Sequence, residues 1–328
     1  MARLAAAFAS SHSVMLTSEL EDWIAKFRDR DDRLPFYDKL GNRISYQQVL
    51  DEAPANVASL VTPEAITKRF NDTQAAMDRM REEVRGANLD ALIICGDDQY
   101  ELFHDDHMPS IAIYYGDSML NTARPKEPPS DWYKRAQQRR QEEKEAVVYP
   151  CHAPLALHLI HGLIDHDFDV SSVKSIPKDE HEGHAYSFIH HRYLHGTKVP
   201  IVPIFLNTYN PPNQPTPKRC VAFGKAVGEL VKSFPEDLRI GIMASGGMSH
   251  FRVEEDLDLS IFDAIKRKDL DFLAALKPYR LLAGSSEIRN WIVAAAAAPH
   301  LDMTWSAYIP GYRTLGLTGT GLGFARWS

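Results

Sequence analysis

The sequence is poor in cysteine, in long apolar runs and in excess positive charge, and each shortage excludes a class of protein. Its 328 residues hold three cysteines (Cys95, Cys151 and Cys220), an odd number without metal-binding spacing, which favours a reducing compartment over a disulfide framework. No segment approaches the roughly 20 apolar residues of a membrane span. Polar residues interrupt the first apolar run at Ser10, too early for a signal peptide. We therefore expect a soluble, cytoplasmic protein.

Charge and composition narrow the class further. Lys and Arg number 37 against 44 Asp and Glu, which gives a net charge of −7, and no basic run stands out. This balance argues against a nucleic-acid partner. With 44% hydrophobic and 25% charged residues, the composition is that of an ordinary globular protein. The length suits one large α/β domain or two smaller ones.

Three apolar runs of strand length each end in small or polar residues that could bind a ligand. The runs are residues 4–9, 91–95 and 240–244, and they are followed by Ser-Ser-His12, Gly-Asp-Asp-Gln99 and Ser-Gly-Gly-Met-Ser-His250. In an open α/β sheet, ligands bind beyond the carboxyl ends of the strands. Each loop alone is more typical of an ordinary surface turn, but the repeated layout favours a shared site.

A fourth stretch adds a carboxylate. Ile288, Trp291, Ile292 and Ala295 fall at helical spacing, and Ser285 or Ser286 is a candidate N-cap. The pattern predicts Glu287 in the first helical turn, where the helix dipole favours a carboxylate. An ordinary capping acid is the alternative. Composition and spacing alone support an α/β enzyme with a His/Glu site.

Together these stretches resemble the class III extradiol ring-cleavage dioxygenases. The resemblance is carried by Ser-Ser-His at 10–12, Gly-Gly-Met-Ser-His at 246–250, and Gly-Ser-Ser-Glu at 284–287 with Trp291. It runs over most of the chain. It implies one α/β catalytic domain over residues 1–328, with a mostly parallel central sheet flanked by helices. Residues 19–60 and 117–150 would be insertions, and residues 300–328 a tail that closes the pocket.

The resemblance also implies a non-haem Fe(II) site with two neutral ligands and one carboxylate. His12 and Glu287 would be ligands. The family normally has a histidine ten residues before a proline as its second neutral ligand, and here Gln99 stands ten residues before Pro109. Either Gln99 binds iron through its amide oxygen, or His104 reaches in from a shifted loop; we favour Gln99.

The remaining roles follow from the same resemblance. His250 would take a proton from a catechol and return one, and His184, with His181 as the alternative, would hydrogen-bond the substrate or oxygen. Tyr312 and Arg313 would bind substrate, a surface arginine being the alternative for Arg313.

The implied reaction is extradiol cleavage of a lignin-derived catecholic acid by O2, of the 3-O-methylgallate or gallate type. A dicarboxybiphenyl catechol or protocatechuate are alternative substrates. A zinc or metal-free homologue is the alternative function. We expect a homodimer or a higher homo-oligomer.

Overall fold

The computed structural model describes residues 1–177 and 180–328 of the chain. Its strands are β1 (Arg3–Ser10), β2 (Phe36–Tyr37), β3 (Arg43–Ile44), β4 (Ala91–Asp97), β5 (Ile111–Tyr114), β6 (Ser118–Asn121), β7 (Val147–Pro150), β8 (Ser171–Val173), β9 (Ile201–Leu206), β10 (Arg239–Ser245), β11 (His250–Arg252), β12 (Met303–Tyr312) and β13 (Thr318–Trp327). Within these residues, one sheet of nine strands has the order β11-β13-β1-β10-β4-β9-β5-β8, and β12 pairs with β13.

The helices are α1 (Arg28–Asp31), α2 (Tyr46–Asp51), α3 (Val57–Leu60), α4 (Pro63–Gly86), α5 (Trp132–Gln138), α6 (Ala153–Asp165), α7 (His184–Ile189), α8 (Pro217–Ser233), α9 (Glu255–Lys266), α10 (Leu270–Ala275) and α11 (Ile288–Ala297). The two longest helices, α4 and α8, begin with the same capping pattern. Thr62 and Thr216 cap α4 and α8 with their side chains, and a proline follows at the first helical position, where its missing N–H costs nothing. None of the described helices has the length and apolarity that a membrane crossing needs.

Four parallel strands form the centre of the sheet. β1 pairs with β10, β10 with β4, and β4 with β9, all in parallel, so their carboxyl ends meet at one edge. The outer strands are mixed, since β13 runs antiparallel to β1 and β5 antiparallel to β9. The predicted α/β fold with a mostly parallel central sheet is confirmed. The strands β1 and β4 run parallel to each other, and β10 lies between them.

Both faces of the sheet are covered, as parallel sheets require. Successive residues of β4 alternate between two cores: Leu92 and Ile94 pack towards α4 and α7, whereas Ile93 and Cys95 pack towards α6, α8 and α11. The alanine side chains of α11 are small, so a neighbouring helix can approach its backbone closely. At Gly224 of α8 a Cβ would collide with the carbonyl oxygen of Val293, so α8 lies directly against that backbone.

The second predicted insertion and the C-terminal segment both contain regular structure. Residues 117–150 include α5, and β6 and β7 also pair there as an antiparallel ladder. These four-residue strands are too short for a periodicity signal. The segment expected to be a docked tail contributes β12 and β13, and β13 is the sheet neighbour of β1.

Candidate active site

The carboxyl ends of the parallel strands converge on one group of buried side chains. His12 follows β1, Asp97 ends β4, Tyr209 follows β9 and Gly247 follows β10. Glu287 enters the same group from the turn before α11. The crevice at this edge of an α/β sheet is where ligands are expected, so the topology places the site before any side-chain chemistry is considered.

His12 presents one bare nitrogen to this crevice. Its ring is 2% exposed. Ser245 Oγ donates to the carbonyl of Ala185 at 2.7 Å, so it accepts from His12 Nδ1–H at 2.9 Å. That leaves a lone pair on Nε2, which has no hydrogen-bond partner. Nε2 lies 3.3 Å from Glu287 Oε2 and 3.5 Å from Asp97 Oδ1.

Glu287 lies beside His12 as a carboxylate. The backbone N–H of Gly247 donates to Oε2 at 2.5 Å, and Tyr209 OH donates to Oε1 at 3.2 Å. Burial opposes ionisation, but His250, His12 and the Gly247 amide outweigh it and hold the pKa of Glu287 well below its usual range. The sequence placed Glu287 inside the first turn of a helix. In the structure it is instead the last residue of the 3-10 turn Ala283–Glu287, directly before α11 begins.

Asp97 and Gln99 occupy the loop that follows β4. Asp97 is fully buried, and burial, reinforced by the charge of Glu287, raises its pKa. Its Oδ1 has no hydrogen-bond partner, while Oδ2 accepts from Gln99 Nε2 at 3.1 Å. Gln99 is exposed and reaches the rim of the cluster with its amide group. His104 is also exposed and stacks on Tyr100, outside the cluster.

His184 reaches the same point from the start of α7. Its Nδ1–H donates to Glu101 Oε2 at 2.6 Å, and its backbone N–H donates to Glu101 Oε1 at 2.9 Å. Although burial opposes it, the His184 ring lowers the pKa of Glu101 to about 2. The rings of His184 and His12 lie 4.5 Å apart. His181, the alternative in the sequence, instead bonds the Glu182 carbonyl.

His250 points a free nitrogen into the cavity. Its ring fills the space that Cβ atoms at Gly247 and Gly284 would occupy. Nδ1–H donates to the Met248 carbonyl at 2.9 Å, which leaves a lone pair on Nε2, 3.8 Å from Glu287 Oε2. Neither Ser285 nor Ser286 caps α11 as predicted: the N-cap is Glu287, and Ser285 Oγ instead accepts from the His250 backbone N–H at 2.8 Å. This arrangement fixes an imidazole that can accept a proton.

The donors in this cluster fit a divalent metal ion. His12 Nε2 and Asp97 Oδ1 are buried polar atoms without partners, which is costly unless a ligand satisfies them. His12, Asp97 and His184 each offer one atom, and these atoms lie within 4.8 Å of one another. Imidazole nitrogens with carboxylate oxygens are the donors of non-haem iron and of catalytic zinc sites.

Both predicted insertions contribute residues to the lining of the cavity. Phe27, Arg30 and Leu34 come from the first insertion, and Tyr133 and Arg140 from the second. The Arg30 guanidinium lies 3.7 Å above the Tyr133 ring, and Arg140 Nε donates to the Gln137 carbonyl at 3.1 Å. Among the described residues, neither arginine forms an ion pair. The cavity therefore combines a candidate metal site with cationic and aromatic side chains.

Sequence reasoning did not single out five residues that the structure brings to this site: Arg30, Asp97, Glu101, Arg140 and Tyr209. Asp97 and Glu101 lie in a run of ligand-type side chains around residues 97–107, where most members are solvated. The arginines lie in ordinary charged stretches. The only signal available was the position of Asp97 at a strand end.

The two residues predicted to bind substrate are differently placed. Arg313 borders the cavity, but its fork is bound by Asp31, with Nη2–Oδ1 at 2.9 Å and Nε–Oδ2 at 3.1 Å. Thr318 OH also donates to Asp31. Tyr312 donates its hydroxyl to Glu255 and does not line the cavity. In this structure the Arg313 donors that would meet a carboxylate are already used inside the protein.

Fold and site together define an α/β protein with a candidate metal centre at the carboxyl edge of its parallel strands. The chain belongs to the family described as the catalytic LigB subunit of aromatic ring-opening dioxygenase, whose family model matches residues 144–323. The matched region contains His184, His250 and Glu287, and it leaves His12 and Gln99 outside.

Two curated relatives match shorter stretches. A gallate dioxygenase from Pseudomonas putida is 33% identical over 102 residues, which are 30% of this chain and 28% of the relative. A 2,3-dihydroxyphenylpropionate/2,3-dihydroxicinnamic acid 1,2-dioxygenase from Comamonas testosteroni is 32% identical over 99 residues, 29% of each chain. The chain thus spans less than a third of the length of either relative.

The buried pair of Asp31 and Arg313 generates a prediction. Asp31→Ala leaves the Arg313 charge uncompensated, so the free energy of unfolding should fall by about 3–5 kcal/mol, measured by urea denaturation. Asp32→Ala is the matched control, because Asp32 is exposed and its Arg33 contact is 3.8 Å long; its effect should stay under about 1 kcal/mol. Unchanged stability in Asp31→Ala, with altered affinity for a carboxylated catechol, would instead assign Arg313 to the substrate.

Proposed function

We propose that this protein is an Fe(II)-dependent extradiol dioxygenase that opens the ring of a catecholic acid with O2. The observation that carries the proposal is the pair of buried metal donors, His12 Nε2 and Glu287 Oε2, 3.3 Å apart on the floor of a cavity that His250 also faces. Membership of a family of aromatic ring-opening dioxygenases supports it. When bound, iron would supply the electron transfer between catecholate and O2 that spin otherwise blocks.

In this proposal His250 handles the protons. Its Nε2 lone pair faces the cavity, so it can accept a proton from a catechol hydroxyl and later return it to the product. An imidazole suits both directions near neutral pH. The Met248 carbonyl holds the Nδ1–H tautomer, and the two flanking glycines keep the ring in one place. Ser285 anchors the backbone of His250 from the turn that carries Glu287.

The two arginines that line the cavity favour a substrate with an acid group. Arg30 and Arg140 line the same cavity as the metal donors and form no ion pair with the described residues, and Arg is the side chain best matched to a carboxylate. The names of both relatives also refer to catecholic acids. We place gallate or 3-O-methylgallate first, with protocatechuate or a dicarboxybiphenyl catechol as alternatives.

The cellular compartment, the metabolic role and the oligomeric state are also part of this proposal. The free thiols of Cys95 and Cys220 are buried, and burial raises the pKa of Cys220 to about 12, which is consistent with a reducing cytoplasm. We propose a role in the breakdown of lignin-derived aromatic acids and assembly as a homodimer or a larger homo-oligomer. Size-exclusion chromatography with light scattering tests the assembly.

The metal assignment has a direct test. Protein purified without oxygen should bind about one iron per chain and consume O2 with gallate, whereas His12→Ala and Glu287→Ala should lose both properties, because each removes one buried donor. His161→Ala, at an exposed position on α6, is the control and should keep both. Full iron occupancy in either site variant would reject this ligand assignment. Zinc without O2 consumption would favour a zinc homologue.

A second test addresses His250. His250→Phe preserves the ring that fills the space between the two glycines, so iron and catechol should still bind. Cleavage should slow by roughly two to four orders of magnitude, the usual contribution of a general acid–base group. Oxygen electrode rates and iron content measured on the same samples decide the outcome. If iron is lost instead, His250 is a ligand and the proton-transfer role fails.

A third test addresses substrate class. Arg140→Met removes a charged partner of a carboxylate, worth about 1.5–3 kcal/mol, so KM for gallate should rise roughly 10- to 150-fold. Turnover of pyrogallol, which has the same ring hydroxyls without the carboxylate, should change little. Arg139→Met is the matched control, because that guanidinium bonds Thr17 and Glu19 outside the cavity. Equal losses on both substrates would show that Arg140 does not read the carboxylate.

A further inference from the structure

We propose that His184 is the second imidazole ligand of the metal, in place of a side chain at position 99, with Asp97 beside it as a further oxygen donor. The inference rests on the proposed iron site and goes beyond it in moving one ligand from the loop after β4 to the first residue of α7. It also reassigns His184, which the sequence resemblance placed next to the substrate.

The distances suit one shared ion. His184 Nε2 lies 3.6 Å from Asp97 Oδ2, His12 Nε2 lies 3.5 Å from Asp97 Oδ1, and His12 Nε2 lies 3.3 Å from Glu287 Oε2. Atoms that share one ion at about 2.0–2.2 Å are separated by about 2.8–3.6 Å when their bond angles lie between square and tetrahedral. Each of these three pairs of atoms therefore already stands at ligand-to-ligand spacing.

The second coordination sphere of His184 is that of a metal-binding imidazole. Glu101 accepts from its Nδ1–H at 2.6 Å, which leaves the Nε2 lone pair directed at Asp97 and His12. A carboxylate behind a histidine fixes the tautomer and makes the other nitrogen a stronger donor. His12 is prepared in the same way, with Ser245 behind Nδ1 and a bare Nε2 in front. Two imidazoles thus present equivalent nitrogens to one point.

Gln99 is poorly placed for the role that the family pattern gives to its position. Its Nε2 is 3.1 Å from Asp97 Oδ2, and this end must be the nitrogen, because an amide oxygen there would face a carboxylate oxygen. The amide oxygen is then turned away from the cluster. Nε2 also lies 3.4 Å from His184 Nε2, a long and weak contact. Gln99 therefore positions Asp97.

The charges of the buried side chains also favour His184 as a ligand. Asp97 and Glu287 bring two buried carboxylates to one region, and buried carboxylates are stable only when paired or bound to a cation. Two carboxylates with two neutral imidazoles suit a divalent ion. If Gln99 bound this ion in place of His184, Nε2 of His184 would have no strong partner.

Metal affinity without turnover tests the proposal. Metal-free protein is titrated anaerobically with Co(II), in competition with a chelator. His184→Gln should weaken binding at least 100-fold, and Glu101→Gln should weaken it about 10- to 100-fold through the His184 ring. Gln99→Ala should stay within about fivefold of the wild type, and His181→Ala, three residues before His184, should not change. If Gln99→Ala loses the metal while His184→Gln keeps it, the proposal is overturned.

A spectroscopic count of imidazoles separates the remaining outcomes. Pulsed EPR of the Cu(II)-loaded protein should detect two coordinated imidazoles in the wild type and in Gln99→Ala, and one in His184→Gln. One coordinated imidazole in the wild type would favour Gln99 as the second neutral ligand. Two imidazoles in the wild type and one in His104→Ala would identify His104 as that ligand. Metal retained in His12→Ala and Glu287→Ala would reject the iron site itself. Should His184→Gln fail to fold in circular dichroism, the Glu101→Gln affinity carries the test.

Discussion

Burial of several ionisable side chains at one edge of the sheet is the constraint on which the rest of the structure depends. His12, Asp97 and Glu287 are almost completely enclosed, where an unpaired charge or polar atom is expensive. Ser245 accepts from His12 Nδ1–H, and the Gly247 amide and Tyr209 donate to the two oxygens of Glu287. Nε2 of His12 and Oδ1 of Asp97 have no hydrogen-bond partner. Two buried polar atoms without partners at one point favour a bound ligand.

The C-terminal hairpin connects this floor to the cavity wall. β13 pairs with β1, which leads to His12, and with β11, which begins at His250. The loop between β12 and β13 carries Arg313, and Arg313 binds Asp31 at the end of α1. The first insertion is therefore fastened to the sheet through a buried ion pair. Rigid strands hold the chemical groups, while inserted segments supply the wall that contacts a substrate, a common division of roles in enzymes.

The parts of the fold that the sequence predicts well are those set by local pattern. Thr62-Pro63 is a helix-start signal that is readable in the sequence, and α4 begins there. The apolar runs near residues 4, 91 and 240 are strands whose ends meet. The convergence of His12 and His250 follows from those strand ends. Contacts between distant segments are not readable in this way. Glu101 and His184 are 83 residues apart, and Asp31 and Arg313 are 282 apart, so neither partnership leaves a trace in spacing.

If His184 is the second imidazole ligand as proposed, the family pattern points to the wrong chain position for this ligand. What a metal centre needs is an imidazole nitrogen at a point in space, held by a partner behind the ring; the chain position that supplies it is secondary. Here a glutamine at the expected position coincides with a histidine 85 residues later, held by its own carboxylate and facing His12. Asp97 lies between the two imidazoles. If Asp97 and Glu287 bind one divalent ion as proposed, their two carboxylates would already balance its charge. The negative charge of a deprotonated catechol and the acid group of a substrate would then need other cations, and Arg30 and Arg140 line the same cavity.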